Sequence, residues 1–316
     1  MIIEIPTSND FEESACDLLH AAWGQVSELL VRFDEVGYLD CDIHEGEEFD
    51  ESDNYDCYWK AAKQTIVISY AMVQQGVEFY IKGRIASISP YLLLSGNPSS
   101  WPKKCNQQNV LFSTFRTVDA QDLIKLHDTV YPERFSDQFR QWFEGMRTSR
   151  NTIMHTVDKR LSMKPEEILD AVLYVHQFFC GQLNWIGSRF NYLDGTPIHS
   201  IRYIREHDDH KPYIMLQIFD ELGSIVGKLP PSKIKEYFGF DKSKYSYHCP
   251  HCYEILRHLD FFDSDFEYFK PYQKSSKDIF TCVVCQHTGG VSGGVCEDCD
   301  GNLVDDESGM CLVCGQ

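Results

Sequence analysis

The residues best equipped for chemistry fall in one hexapeptide, Arg150-Asn151-Thr152-Ile153-Met154-His155. Arginine is a permanent cation whose planar fork matches a phosphate, and histidine titrates near neutral pH. Asn151 adds an amide that can orient either group. Together they have what is needed to hold a phosphodiester and move a proton at pH 7. Spacing of the Arg-x4-His type is cheap by itself, so the reading rests on the elements that position it. On a straight helix Arg150 falls close to the apolar stripe through Met146, Ile153 and Val157, where an unpaired guanidinium is costly. His155 lies about 140° further round, too far for one helix to close both on a small ligand. Either the helix breaks between Gly145 and Ser149, with Ser149 capping a new one, or a second copy of the chain supplies part of the site.

A second set of reactive residues is more specific. Of thirteen cysteines, Cys16, Cys41, Cys57, Cys105 and Cys180 are scattered and unpaired. The other eight form four C-x2-C pairs: Cys249/Cys252, Cys282/Cys285, Cys296/Cys299 and Cys311/Cys314. Such a turn puts two thiolates on one side of a tight knuckle, and two knuckles complete a tetrahedral four-cysteine site. Two structural Zn2+ ions are therefore expected, and no metal for catalysis, because four thiolates leave no open position. A redox reading would need a βαβ context, which is absent. Sequential pairing is favoured: Cys296/Cys299 with Cys311/Cys314, and Cys249/Cys252 with Cys282/Cys285. A cross-brace or nested arrangement stays open. His248, His251 and His287 are read as bystanders. Arg257, Lys270, Lys274 and Lys277 are outnumbered by carboxylates in this tail, which favours a protein partner there over nucleic acid.

The elements around these residues are mainly helical, and 316 residues suit about two domains. Phe11, Ala15, Leu18, Leu19, Ala22, Val26, Leu29, Leu30 and Phe33 keep helical spacing, ending at a loop around 40–54. The longest helix is predicted over about Asp56 to Ser87, with Glu78 and Lys82 as an i,i+4 pair. Residues 89–117 read as a long connection. Helices follow over Ala120–His127, from near Glu133, and from Pro165 to about Gly187. The run Tyr213–Phe219, a turn at Gly223 and Ser224–Val226 predict a short β hairpin, and 230–246 a linker. The expected domains are 10–190, helical; 195–246, hairpin and linker; and 247–316, zinc ribbons.

Composition limits the partners. A net charge of −19 argues against gripping long nucleic acid through the overall field, though not against one local cation. The acidic run Glu45–Asp53 lacks the spacing of a calcium loop and reads as solvated. Met1-Ile2-Ile3-Glu4 does not begin a signal peptide, and the apolar run Thr65–Val73 is too short for a membrane span. The expectation is a cytoplasmic protein with no membrane contact.

A helical domain whose long second helix reads Val77-Glu78-Phe79-Tyr80-Ile81-Lys82, followed two helices later by Arg-Asn-x-x-x-His, resembles the HEPN superfamily over about 10–190. The resemblance implies a metal-independent endoribonuclease that dimerises so that two motifs share a cleft. Carried onto this chain, Arg150 would hold the scissile phosphate, His155 would transfer the proton at the 2′-hydroxyl or 5′-oxygen, and Asn151 would orient one of them. RNA would be the substrate and a 2′,3′-cyclic phosphate the product. A role in defence or toxin-type growth control is implied by the resemblance alone. Toxin members often carry Tyr two residues after the histidine; here that position is Val157, so control by modifying that tyrosine is not supported. The alternative is a noncatalytic dimerisation and protein-interaction unit with a structural zinc tail.

Overall fold

The computed structural model describes residues 1–43, 51–155, 163–181, 184–199, 210–257, 259 and 269–316; for 36–43, 51–55 and 153–155 it describes the backbone. The chain divides into two compact units. One comprises Met1–Val26 and Ser52–Phe179, the other Ser27–Glu51 and Cys180–Gln316.

The first unit is built on α1 (Ser8–Ile43), which contributes as far as Val26, and α2 (Glu51–Ile88). Thr7 and Asp10 exchange hydrogen bonds at the start of α1, satisfying amides that have no partner within the helix. Ala15, Leu19, Ala22, Trp23 and Val26 bury one face of α1 against the stripe Ile66, Val73, Val77, Ile81 and Ile85 of α2. The two run antiparallel, with Gly83 beside Ser8 and Glu12 and Gly76 beside Ala15 and Leu19. A Cβ at either glycine would come within 3.3 Å of an α1 carbonyl, so the close approach depends on these two positions. Glu78 bonds Gln74 and not the expected Lys82, whose ammonium instead lies over the Phe79 ring.

The connection 89–117 contains 3-10 turns and β2 (Val110–Leu111), which pairs in parallel with β1 (Ile2–Ile3). Then come α3 (Ala120–Val130), α4 (Asp137–His155) and α5 (Pro165–Cys180). Phe135, Phe139, Phe143 and Met146 face Ile168, Leu169, Val172 and Val175 in the core. Burial of each large apolar side chain is worth about 1.5–3 kcal/mol.

In the second unit the expected helix to Gly187 is divided. Gly181 takes a left-handed conformation after α5, and the Asn184 side chain accepts from the Ile186 amide to cap a new helix, α6 (Trp185–Asp194). The predicted hairpin is also corrected: Tyr213–Val226 lies within one helix, α7 (Lys211–Lys228). Its β-branched and aromatic residues suit strands, but Ile214, Met215, Ile218, Phe219, Leu222 and Ile225 are buried at helical spacing. Gly223 makes no turn. It admits Phe269, whose Cβ would be 3.2 Å from any Cβ placed there. Arg189 of α6 and Glu221 of α7 form a buried two-point ion pair, with Nε–Oε2 3.0 Å and Nη2–Oε1 2.7 Å.

The predicted linker is structured as well. It contains α8 (Pro231–Phe238), and the Gln273 side chain bonds both the amide and the carbonyl of Asp241. After α9 (Pro250–Leu256) come β3 (Tyr272–Ser276), β4 (Ile279–Cys282), β5 (Thr288–Gly293) and β6 (Leu303–Asp305). They form one antiparallel sheet in chain order. The fold is thus mainly helical with a small sheet at its C-terminal end. No described helix is long and apolar enough to cross a membrane.

Candidate functional site

Helix α4 is continuous from Asp137 to His155, so of the two alternatives the break between Gly145 and Ser149 does not occur. A Cβ at Gly145 would meet nothing within 4 Å, and the helix carries it as an ordinary interior residue. Arg150 and Asn151 are both half-buried, and Arg150 Nη1 donates to Asn151 Oδ1 at 3.2 Å. Arg150 Nε is buried without a hydrogen-bond partner, and no carboxylate among the described residues forms an ion pair with the guanidinium. A buried donor left this way costs about 1–3 kcal/mol. Nearby, burial pushes the pKa of the Tyr70 hydroxyl on α2 upward, opposed by its hydrogen bond with Ser149. The Glu167 carboxylate on α5 adds to the rise.

The backbone of His155 belongs to the same helix; its side chain, with Val157, lies outside what the structure describes. At 100° per residue the unbroken helix leaves His155 about 140° from Arg150. Within one chain Asn151 bonds Arg150, while the helix places His155 about 40° from Asn151 and about 140° from Arg150. The acidic run is outside the description through Asp50, and from Glu51 the backbone is already helical.

The environment of Arg84 was not legible in the sequence. Its guanidinium lies 4.6 Å from the Phe179 ring centre and 5.4 Å from that of Phe135, with Phe178 and Tyr131 slightly further. Beside it His127 Nδ1 bonds Asp128 Oδ1 at 2.9 Å. Desolvation lowers the His127 pKa more than Asp128 raises it. Asp128 spends both oxygens, on His127, the Phe135 amide and Arg140. That arrangement pins α3 to α4 and uses three of the carboxylate's about four acceptor directions, a structural role.

The eight predicted cysteines form two clusters. Cys249, Cys252, Cys282 and Cys285 make one, Cys296, Cys299, Cys311 and Cys314 the other, and within each all sulfurs lie within 4.8 Å. This is the sequential pairing. The Cys249–Cys285 sulfurs are 3.6 Å apart, and Cys252–Cys282, Cys296–Cys314 and Cys299–Cys311 are each 3.7 Å. A tetrahedron with Zn–S of about 2.3 Å has edges of about 3.8 Å, so the spacing suits that ion. His251 and His287 stack on one another, and neither belongs to a cluster.

The local backbone explains how the sulfurs converge. Residues Gln286, Asp300 and Gly315, each just after the second cysteine of a pair, have left-handed backbones. The amide of each returns to the carbonyl of the first cysteine, at 3.1, 3.2 and 2.8 Å. The same turn is thus built three times. The remaining pair opens α9, where the Tyr253 amide reaches the Cys249 carbonyl at 2.9 Å. Sulfur receives backbone donors too, from Cys285 to Cys282 and from His287 to Cys285. Neighbouring sulfurs, Cys249 foremost, and then burial push the Cys252 thiol pKa well up. Burial, followed by Cys249 and Cys285, does so for Cys282 against an opposing effect of Cys252. Four thiolates at this separation need a divalent cation among them, and the donor set fits a structural metal. Comparison with protein-family models, with curated proteins and with solved structures returns no match.

Proposed function

We propose that the chain is a metal-independent endoribonuclease of HEPN type whose active site is completed by a second copy. The observation that carries this reading is Arg150: a half-buried cation with an unsatisfied Nε, no carboxylate partner among the described residues and an amide beside it at Asn151. A dianionic transition state supplies the missing acceptors, and the guanidinium stabilises charge developing on phosphorus-bound oxygen. The unbroken α4 supports the second half of the reading, because it keeps His155 from closing on the same ligand as Arg150 of its own chain.

In this mechanism a neutral His155 accepts the ribose 2′-hydroxyl proton while O2′ attacks phosphorus. The P–O5′ bond breaks, the imidazolium so formed gives the 5′-oxygen its proton, and a 2′,3′-cyclic phosphate remains. The two zinc sites are structural and stand outside this chemistry. The substrate must carry a 2′-hydroxyl, so DNA of the same sequence is inert.

Purified protein incubated with RNA, with EDTA present only during the reaction, provides the test. Cleavage with cyclic-phosphate ends that Arg150→Ala and His155→Ala both lose is the expected outcome. Equal cleavage by the variants, or none by the parent, would leave the noncatalytic interaction unit as the better reading.

A further inference from the structure

The tail is acidic on average, yet its charge is unevenly placed. A groove of 690 Å³ crosses the β3–β6 sheet, lined by Lys244, Tyr245, Tyr247, Lys274, Phe280 and Gly293 among others. Lys244 and Lys274 line it against one carboxylate, Asp278, which lies 3.8 Å from the Lys274 ammonium, so the lining keeps one net positive charge. Lys277 is exposed in the adjoining turn. In a chain of net charge −19, this local cationic rim selects an anionic occupant.

The lining also selects for shape. Tyr245 is 86 % exposed, so its ring is accessible to a planar partner. Tyr247 is half-buried and held edge-on by Phe280, with ring centres 5.7 Å apart. The floor is low, because a Cβ at Gly293 would meet nothing within 4 Å. Lys244 is steadied by its bond to the Lys274 carbonyl at 3.0 Å, which holds its charge at the rim. Ser276 adds a hydroxyl group along the same edge, while those of Ser243 and Ser275 donate to the Asp241 carboxylate and the Ile279 carbonyl.

An accessible ring, a shallow floor and a line of ammonium and hydroxyl groups match unstacked bases joined by phosphates. An acidic peptide would satisfy the lysines but leave the exposed ring without a planar partner. We infer that this groove binds single-stranded RNA, with Tyr245 stacking on a base and Lys244 and Lys274 contacting the backbone. A duplex keeps its bases paired and offers the ring nothing to stack on. The inference concerns a site separate from Arg150 and does not depend on cleavage.

Fluorescence anisotropy of the zinc-loaded full chain tests it, using a labelled 12-nucleotide single-stranded RNA. Arg150→Ala serves as the parent so that the probe stays intact. Tyr245→Ala is expected to weaken binding by about 5- to 150-fold. Lys244→Ala with Lys274→Ala should reduce the slope of log affinity against log salt by about 1.4. Gly293→Phe fills the groove without touching charge or ring, and should weaken binding at least about tenfold with both zincs retained. A duplex of equal length and polyglutamate should compete poorly. The inference is overturned if the parent does not bind RNA, if all three variants bind within twofold of it, or if polyglutamate competes as well as RNA. Because the readout is binding by a cleavage-blocked chain, its failure is distinct from failure of the proposed nuclease.

Discussion

Replacing Glu221 by Gln isolates the part of the second unit that most depends on charge. The Arg189 and Glu221 side chains are only 3 % and 7 % exposed, and two hydrogen bonds join them at 3.0 and 2.7 Å. Gln217 donates to the same carboxylate at 2.9 Å. The amide keeps the shape of the carboxylate but removes its charge from beside the buried guanidinium. Breaking such a pair costs about 3–5 kcal/mol, because desolvation of the surviving ion is no longer offset. Every 1.4 kcal/mol is tenfold, so amide protection in α6 and α7 should fall roughly 100- to 4,000-fold. Hydrogen exchange followed by mass spectrometry reads this directly, under conditions where exchange reports the opening equilibrium. Peptides from α5 residues 168–175, in the other unit, serve as an internal reference and should keep their protection. The double variant Arg189→Met/Glu221→Leu should recover most of the loss, since apolar groups of similar volume carry no desolvation debt. Retention of α6 and α7 protection within tenfold in Glu221→Gln would refute the reasoning.

Metal analysis should give two zinc ions per chain, and Cys252→Ser or Cys299→Ser should each reduce this to one; two ions retained in either variant would contradict the cluster assignment. Burial holds His176 at about 4, below its ordinary 6.5, so it stays neutral in the fold and charges more readily in the unfolded chain. Stability is then fully present above pH 6.5 and lost as pH falls toward 4, by about 2 kcal/mol between pH 7.5 and 5.0. Urea unfolding of the parent and of His176→Leu at the two pH values measures it, as the amount by which the pH dependence differs between them. Gly315→Ala needs a left-handed backbone at φ 84° and places a Cβ 2.7 Å from the Tyr253 ring, so zinc transfer from the second cluster to a competing chelator should become easier. Tyr253→Ala in the same chain should restore part of the loss, because it removes the collision and not the backbone strain.

The two cysteine clusters were legible because C-x2-C spacing constrains geometry locally, but the pairing stayed open in the sequence, since only the second cluster closes over a short loop. Helix α2 was legible for a related reason: Ile66, Val73, Val77, Ile81 and Ile85 repeat with one buried face. The α7 error has a physical source. Tyr213–Phe219 has strand-like residues, and Gly223 resembles a turn, but the packing of Phe269 and the ion pair to Arg189 are long-range contacts that no local pattern announces. The break between α5 and α6 had a visible signal in Gly181 and Asn184, outweighed by the apolar spacing that runs on through Leu183. At the candidate site the types and spacing of Arg150 and Asn151 were readable. The missing carboxylate partner and the Tyr70–Ser149 contact were not, because they depend on how α2 meets α4.

The central claim is that the hexapeptide is half of an active site, and mixing two inactive variants tests it most directly. In a twofold dimer that pairs Arg150 of one copy with His155 of the other, Arg150→Ala and His155→Ala chains together rebuild one intact site of two. Unfolding and refolding them as an equal mixture, with zinc restored, should return about a quarter of the parent's RNA cleavage, since half the dimers are mixed. Each variant alone stays inactive in this account. A mixture as inactive as its components, or full cleavage by either variant alone, would contradict it.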